Sequence, residues 1–136
     1  MMSKLRTTYD GTQHCTTLQA THGKTVASDC SATGGKGEEL SATELVGAGL
    51  VSCMLFSMGV VALRDKLDIS DTQVDTEISM TDKPDKHIGA IDLTFTMPRK
   101  FSEADRVKLE RASGMCPIKH SFRPDTQISV HFNYPD

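Results

Sequence analysis

From Leu45 to Leu63 the chain carries no charged residue, whereas its other segments mix charges freely with apolar positions. The run is too long for a strand, so it predicts a long buried helix. Ser41-Ala42-Thr43-Glu44 opens it as a capping box, the Ser41 hydroxyl accepting from the Glu44 N–H while the Glu44 carboxylate reaches back to the first backbone donor. Arg64 and Lys66 place positive charge near its end, where the helix dipole is negative. A helix within residues 41–67 is long enough to cross a whole domain.

The flanking segments read differently. Lys4 to Asp10 and Gln13 to Ala20 are Thr-rich, strand-compatible runs separated by Asp10-Gly11, a hairpin signal. Thr21-His22-Gly23-Lys24 turns the chain into a third short strand, Thr25 to Cys30, which completes an antiparallel meander. Ser31 to Glu39, with Gly34-Gly35-Lys36-Gly37, reads as a mobile surface loop over the helix start. It lacks the spacing and preceding apolar strand of a phosphate-binding loop.

After the helix, Val74, Thr76, Ile78 and Met80 alternate with Asp75, Glu77 and Ser79, the period of a half-buried strand. Its partner puts Ile91, Leu93, Phe95 and Met97 on one face, and the pair predicts a hairpin laid on the long helix. Ser102-Glu103-Ala104-Asp105 starts a second helix, which Gly114 ends. Met115-Cys116-Pro117 reads as a further helix start with Cys116 as its cap, a position that lowers a thiol's pKa. Ile128, Val130 and Phe132 alternate as a closing strand. The order of elements is α+β. It divides as N-terminal strands and loop (1–40), central helix (41–67), then hairpin, helix, Cys-Pro segment and closing strand (72–136).

Composition narrows the choices. A chain of 136 residues has room for a single domain that buries roughly two-thirds of its unfolded surface. A net charge of −3 without a basic cluster argues against nucleic acid as the main partner. The uncharged run is near the length of a membrane span, but glycines, serines and a cysteine dilute it and aromatic anchors are missing. No membrane association is expected. The first residues lack a secretory signal, so the expected compartment is the cytoplasm, where Cys15, Cys30, Cys53 and Cys116 are free thiols or redox centres rather than structural disulfides. No Cys-x-x-Cys or paired His spacing supports zinc, and no metal or cofactor is expected.

Cys53 lies near the middle of the long helix. At helical spacing it forms a line of small groups with Gly49 and Ser57, which lets another chain segment approach closely. By itself a Cys on an apolar helix is more often an inert hydrophobe than a nucleophile.

Its surroundings change that balance. The segment Ser41-Ala42-Thr43-Glu44-Leu45-Val46-Gly47-Ala48-Gly49-Leu50-Val51-Ser52-Cys53 resembles the central helix of the osmotically inducible protein C and organic hydroperoxide resistance (OsmC/Ohr) family. Cys116-Pro117-Ile118-Lys119-His120-Ser121-Phe122 is similar to that family's second Cys-Pro motif, and the order of elements agrees over nearly the whole chain. The resemblance implies antiparallel sheets wrapped around long helices in an intertwined homodimer. It also implies a chemistry: the Cys matching position 53 attacks a peroxide, releasing an alcohol and leaving a sulfenic acid, and the Cys matching position 116 condenses with it to a disulfide. A dithiol reductant, such as a lipoyl group, then restores both thiols.

In the hydroperoxide-resistance branch an acidic residue precedes the first Cys by ten positions and an N-terminal Arg activates the thiolate. Here Thr43 holds that position and Glu44 follows it. Glu44 is therefore a candidate both as catalytic residue and as cap, with Lys24 or Lys36 as sources of positive charge. The candidate catalytic residues are Cys53, Cys116 and Glu44. Leu50, Met54 and Phe56 would suit an organic hydroperoxide as substrate or a plain core equally well. The expected function is a thiol-dependent peroxidase; the alternative is a non-enzymatic dimer that binds a small apolar or thiol-bearing ligand around Cys53.

Overall fold

The computed structural model describes residues 2–136. The chain divides into two compact units, the first ending at Val46 and the second running Gly47–Asp136.

The first unit is a three-stranded antiparallel sheet, β1 (Leu5–Tyr9), β2 (His14–Gln19) and β3 (Thr25–Asp29), in that spatial order. Its first turn closes where Gly11 adopts a φ of 92°, while the Asp10 carboxylate accepts from the Thr12 N–H at 2.8 Å. That is the turn chemistry expected of Asp-Gly. The segment after β3 makes more backbone contacts than its glycines suggest. Ser31–Thr33 forms a short 3-10 turn, and the nearly buried Asp29 carboxylate accepts from the N–H groups of Glu38 and Glu39 at 2.9 and 3.3 Å. Among the described residues of this unit, no apolar side chain is buried.

The long helix α1 spans Ala42–Arg64. Its start is the expected capping box: Ser41 Oγ accepts from the Glu44 N–H at 3.1 Å, and Glu44 Oε1 accepts from the Ser41 N–H at 2.8 Å. It stops before Lys66, which takes a left-handed φ of 57° so that the Leu67 N–H reaches Ala62 O at 2.8 Å. This closes the helix with a Schellman-type ending.

The second unit holds the core. Two strands, β4 (Gln73–Thr81) and β5 (His87–Thr96), form the expected hairpin, and β6 (Gln127–Asn133) joins β5 on its other side. β1–β2, β2–β3 and β4–β5 pair antiparallel, but β5 and β6 run parallel. A parallel pair needs a crossover, and α2 (Glu103–Ser113) supplies it. Ser102 caps that helix by accepting from the Asp105 N–H at 3.2 Å.

Ile91, Leu93 and Phe95 are fully buried and Met97 nearly so, as their alternation predicts. They meet Leu50, Met54, Met58 and Ala62 of α1, together with Leu109 and Ala112 of α2. Gly47 lies where an added Cβ would come within 2.6 Å of Ile78 Cδ1, so its lack of a side chain lets the helix sit close to β4. The β4 alternation fails at two of its four positions, Thr76 and Met80, which are exposed. A bulge between Ser79 and Met80 shifts the register and leaves Met80 48% exposed. The extra residue is Gly89 of β5, skipped between the pairs Ser79–Ala90 and Met80–Ile88, and a lone glycine inside a strand is the local signal of such a bulge.

The expectation that all of α1 is buried needs correction. Only the strip Gly47, Leu50, Met54, Met58 and Ala62 is buried, at the spacing of one helical face, while Phe56, Val60 and Leu63 are 73%, 68% and 84% exposed. By length and mean hydropathy of 2.1 the helix could cross a membrane. Its buried strip instead packs on the sheet and α2 of the second unit, as the core helix of a globular body does.

Candidate active site

Two elements far apart in sequence bring Cys53 and Cys116 together. Cys53 sits on α1 beside the buried strip, half-buried, with Ser57 Oγ donating to its carbonyl at 3.0 Å. One face of the helix is fixed by Leu50 and Met54 in the core, and this fixes the direction in which Cys53 points. Cys116 comes from the segment after α2. That helix ends at Gly114, whose N–H donates to Arg111 O, and Met115 N–H donates to Ala112 O, both at 3.1 Å. The chain then turns inward at Cys116, which is completely buried.

The segment after Pro117 is not the helix expected. It forms a turn and a short 3-10 stretch, Lys119–Ser121. Cys116 Sγ does accept from the Lys119 N–H at 3.4 Å. Even so, the Cys116 thiol is pushed up, not down: burial is the largest cause, the neighbouring Cys53 thiol adds to it, and the N–H groups of Lys119 and Ile118 oppose it. Removing a thiolate from water outweighs two long amide contacts. The influence of Cys53 on Cys116, through both hydrogen bonding and charge, also marks the two sulfurs as neighbours.

The two thiols are therefore unequal. Cys53 can be reached from solvent, whereas Cys116 is a buried thiol held in its neutral form. Such a pair can trap an oxidised sulfur without competing for the oxidant.

The other candidates lie elsewhere. Glu44 is exposed, and its carboxyl is held below its ordinary value, first by the Ser41 N–H and then by the Ser41 side chain. All its hydrogen bonds belong to the cap. Leu50, Met54 and Phe56 do not form one wall, because the first two are completely buried in the core and Phe56 is exposed. Cys15 and Cys30, which no motif singled out, share a cavity in the first unit. Cys30 is exposed, and its thiol is held below its usual value, chiefly by the Thr33 hydroxyl and backbone N–H. The Thr33 hydroxyl also donates to Gln13 Oε1, which limits what it gives to the sulfur. Only the return of the 31–39 loop creates these contacts. Among the described residues, no group of three or more His, Cys, Asp or Glu side chains is placed to hold a metal ion.

Comparison with known proteins bears on the fold. The sequence profile of the family described as "OsmC: OsmC-like protein" matches residues 35–131. No curated protein sequence matches the chain. A candidate osmotic stress induced and detoxification response protein from Psychrobacter arcticus superposes with a TM-score of 0.91 at 23% identity, covering 98% of this chain and 97% of that one. An organic hydroperoxide resistance protein OsmC from Legionella pneumophila gives 0.74 at 16% identity, with 98% and 97% covered. The organic hydroperoxide resistance protein OhrB of Bacillus subtilis gives 0.71 at 14% identity, with 98% of each chain covered. At these identities the three structures establish a shared fold.

Proposed function

The chain belongs to the OsmC-like protein family, and from that premise we propose that it is a thiol-dependent peroxidase that reduces organic hydroperoxides to alcohols. The observation that carries this reading is the unequal pair of neighbouring thiols, Cys53 accessible and Cys116 buried.

The Cys53 thiolate attacks the terminal peroxide oxygen. The O–O bond breaks, its electron pair leaves with the alkoxide, which takes a proton to become the alcohol, and Cys53 is left as a sulfenic acid. Cys116 sulfur then attacks the Cys53 sulfur, the S–O bond breaks, and the departing hydroxide takes the Cys116 proton as water. A dithiol reductant, a lipoyl group among the candidates, exchanges with the disulfide and restores both thiols. Cys116 has no exposure to meet a peroxide, so the order of attack follows from burial. Cys53 itself packs against the apolar core, and apolar surroundings of the thiol favour a peroxide with an apolar body over hydrogen peroxide.

Phe56, Val60 and Leu63, exposed on the helix that carries Cys53, support a homodimer, since an exposed apolar helix face of this kind is covered by a partner in soluble proteins. Cytoplasmic reducing conditions would suit the reduced thiols. In this scheme Glu44 serves first as the cap of α1, and a catalytic role for it is open to direct test. The alternative of a non-enzymatic ligand binder leaves the approach of Cys116 to Cys53 without a purpose, and the peroxidase is favoured for that reason.

Adding cumene hydroperoxide to the reduced protein and counting free thiols tests the scheme. Loss of two thiols per chain with formation of the alcohol is expected, and mass spectrometry should find Cys53 joined to Cys116. A protein that keeps all its thiols in the presence of the peroxide would end the peroxidase reading.

A further inference from the structure

The first unit contains a second pair of thiols that the peroxidase scheme does not use. Cys15 lies on β2 directly opposite Ser28 of β3, and Cys30 follows two positions after Ser28. The Cys30 N–H donates to Gln13 O at 3.1 Å, so the pairing continues past the formal end of β3. Cys15 and Cys30 are therefore diagonal neighbours on one face of the sheet. Both line a cavity of about 250 Å³, with Tyr9, Gln13 and Ser28 among its other walls. Both are reduced, Cys15 half-buried and Cys30 exposed.

Diagonal neighbours stand about 7–8 Å apart at the backbone. A disulfide needs Cβ atoms within about 4.5 Å and would force the strands to shift. An ion between the two sulfurs relaxes that requirement, because metal–thiolate bonds of about 2.3 Å hold sulfurs on opposite sides of it about 4.6 Å apart. Zinc would need four ligands, and among the described residues no group of three or more His, Cys, Asp or Glu side chains is gathered here. The Asp29 carboxylate is taken up by the Glu38 and Glu39 N–H groups, from which it accepts.

We propose that Cys15 and Cys30 form a two-coordinate site for a soft monovalent metal ion of the Cu(I) type. Such ions select thiolates and are satisfied by two of them. Both thiols release their protons on binding, so occupancy falls as the pH falls. The inference is independent of the chemistry at Cys53.

The test uses the full, reduced chain with Cu(I) under anaerobic conditions and a competing chelator, with alkylation by iodoacetamide read at each cysteine by mass spectrometry. At one equivalent of ion per chain, Cys15 and Cys30 should both be protected, and protection should be lost on adding excess chelator. Cys15→Ser and Cys30→Ser should each abolish protection of the remaining thiol. Unchanged alkylation of Cys15 and Cys30 in the wild-type protein would overturn the proposal whether or not the variants fold. So would protection confined to Cys53 and Cys116, or a Cys15→Ser variant whose Cys30 stays protected.

Discussion

The two pairs of cysteines sit in opposite physical settings. Cys53 and Cys116 lie at the edge of a packed core, one half-buried and the other fully buried, and come from elements separated by the whole β4–β5 hairpin and α2. Cys15 lies on β2 and Cys30 directly follows β3, in a sheet that buries no apolar side chain among its described residues. In the first pair, burial raises the Cys116 thiol; in the second, local hydrogen bonds lower the exposed Cys30 thiol. Desolvation dominates where the sulfur leaves water, and local donors dominate where it does not. Burial therefore sets apart thiols of the same intrinsic chemistry.

The largest expected effect sets the two pairs directly against each other. Cys53→Ser should abolish peroxide turnover, and Cys116→Ser should consume a single equivalent of cumene hydroperoxide and then stall as a sulfenic or sulfinic acid. Cys15→Ser and Cys30→Ser should retain wild-type turnover. Steady-state kinetics combined with intact mass would show this, and equal loss of turnover in all four variants would erase the distinction.

Packing provides the next contrast. Phe95 is fully buried and stacks on Phe132 with ring centroids 4.6 Å apart. Phe95→Ala should cost about 3–5 kcal/mol in chemical denaturation. Leu18→Ala in the first unit, at a side chain 40% exposed, should cost about 0.5 kcal/mol or less. Comparable losses would mean that Leu18 is covered in solution, as the proposed dimer allows, and gel filtration of the variant would then show whether association had weakened.

Smaller effects separate capping from catalysis. Ser41→Ala should cost about 1 kcal/mol by removing the acceptor for the Glu44 N–H. Glu44→Gln should leave stability nearly unchanged, since Gln also completes a capping box. If turnover in Glu44→Gln falls while its melting temperature holds, the residue acts in the reaction as well as in the cap.

The smallest effect is electrostatic. Asp65 is held at about 2 by hydrogen bonds first from Arg64 and then from Lys108, against an ordinary 3.8. Its carboxyl is depressed in the folded state, so the stability it contributes is present above its unfolded value and is lost as pH falls through the folded one. Lys108→Ala should flatten the dependence of melting temperature on pH between about 4 and 2. A curve parallel to wild type would show that solvent screens this exposed pair entirely.

Much of the fold was legible in the sequence because the relevant forces act between near neighbours in the chain. Ser41 and Glu44 need only each other to start α1, Ser102 and Asp105 start α2 in the same way, and the alternation from Ile91 to Met97 specifies one buried face. The family resemblance also rested on contiguous motifs, around Cys53 and around Cys116. Tertiary structure decided the rest. Leu50 and Phe56 are equally apolar in sequence, yet only the sheet and α2 determine that one is buried and the other exposed. The parallel docking of β6 on β5 depends on a partner distant in the chain. The Cys116 thiol makes the same point: its local setting after Gly114 favours a lowered pKa, and its burial beside Cys53 raises it. Capping and alternation are written in adjacent residues, whereas desolvation depends on everything that packs around an atom, and that is settled only when the whole chain has folded.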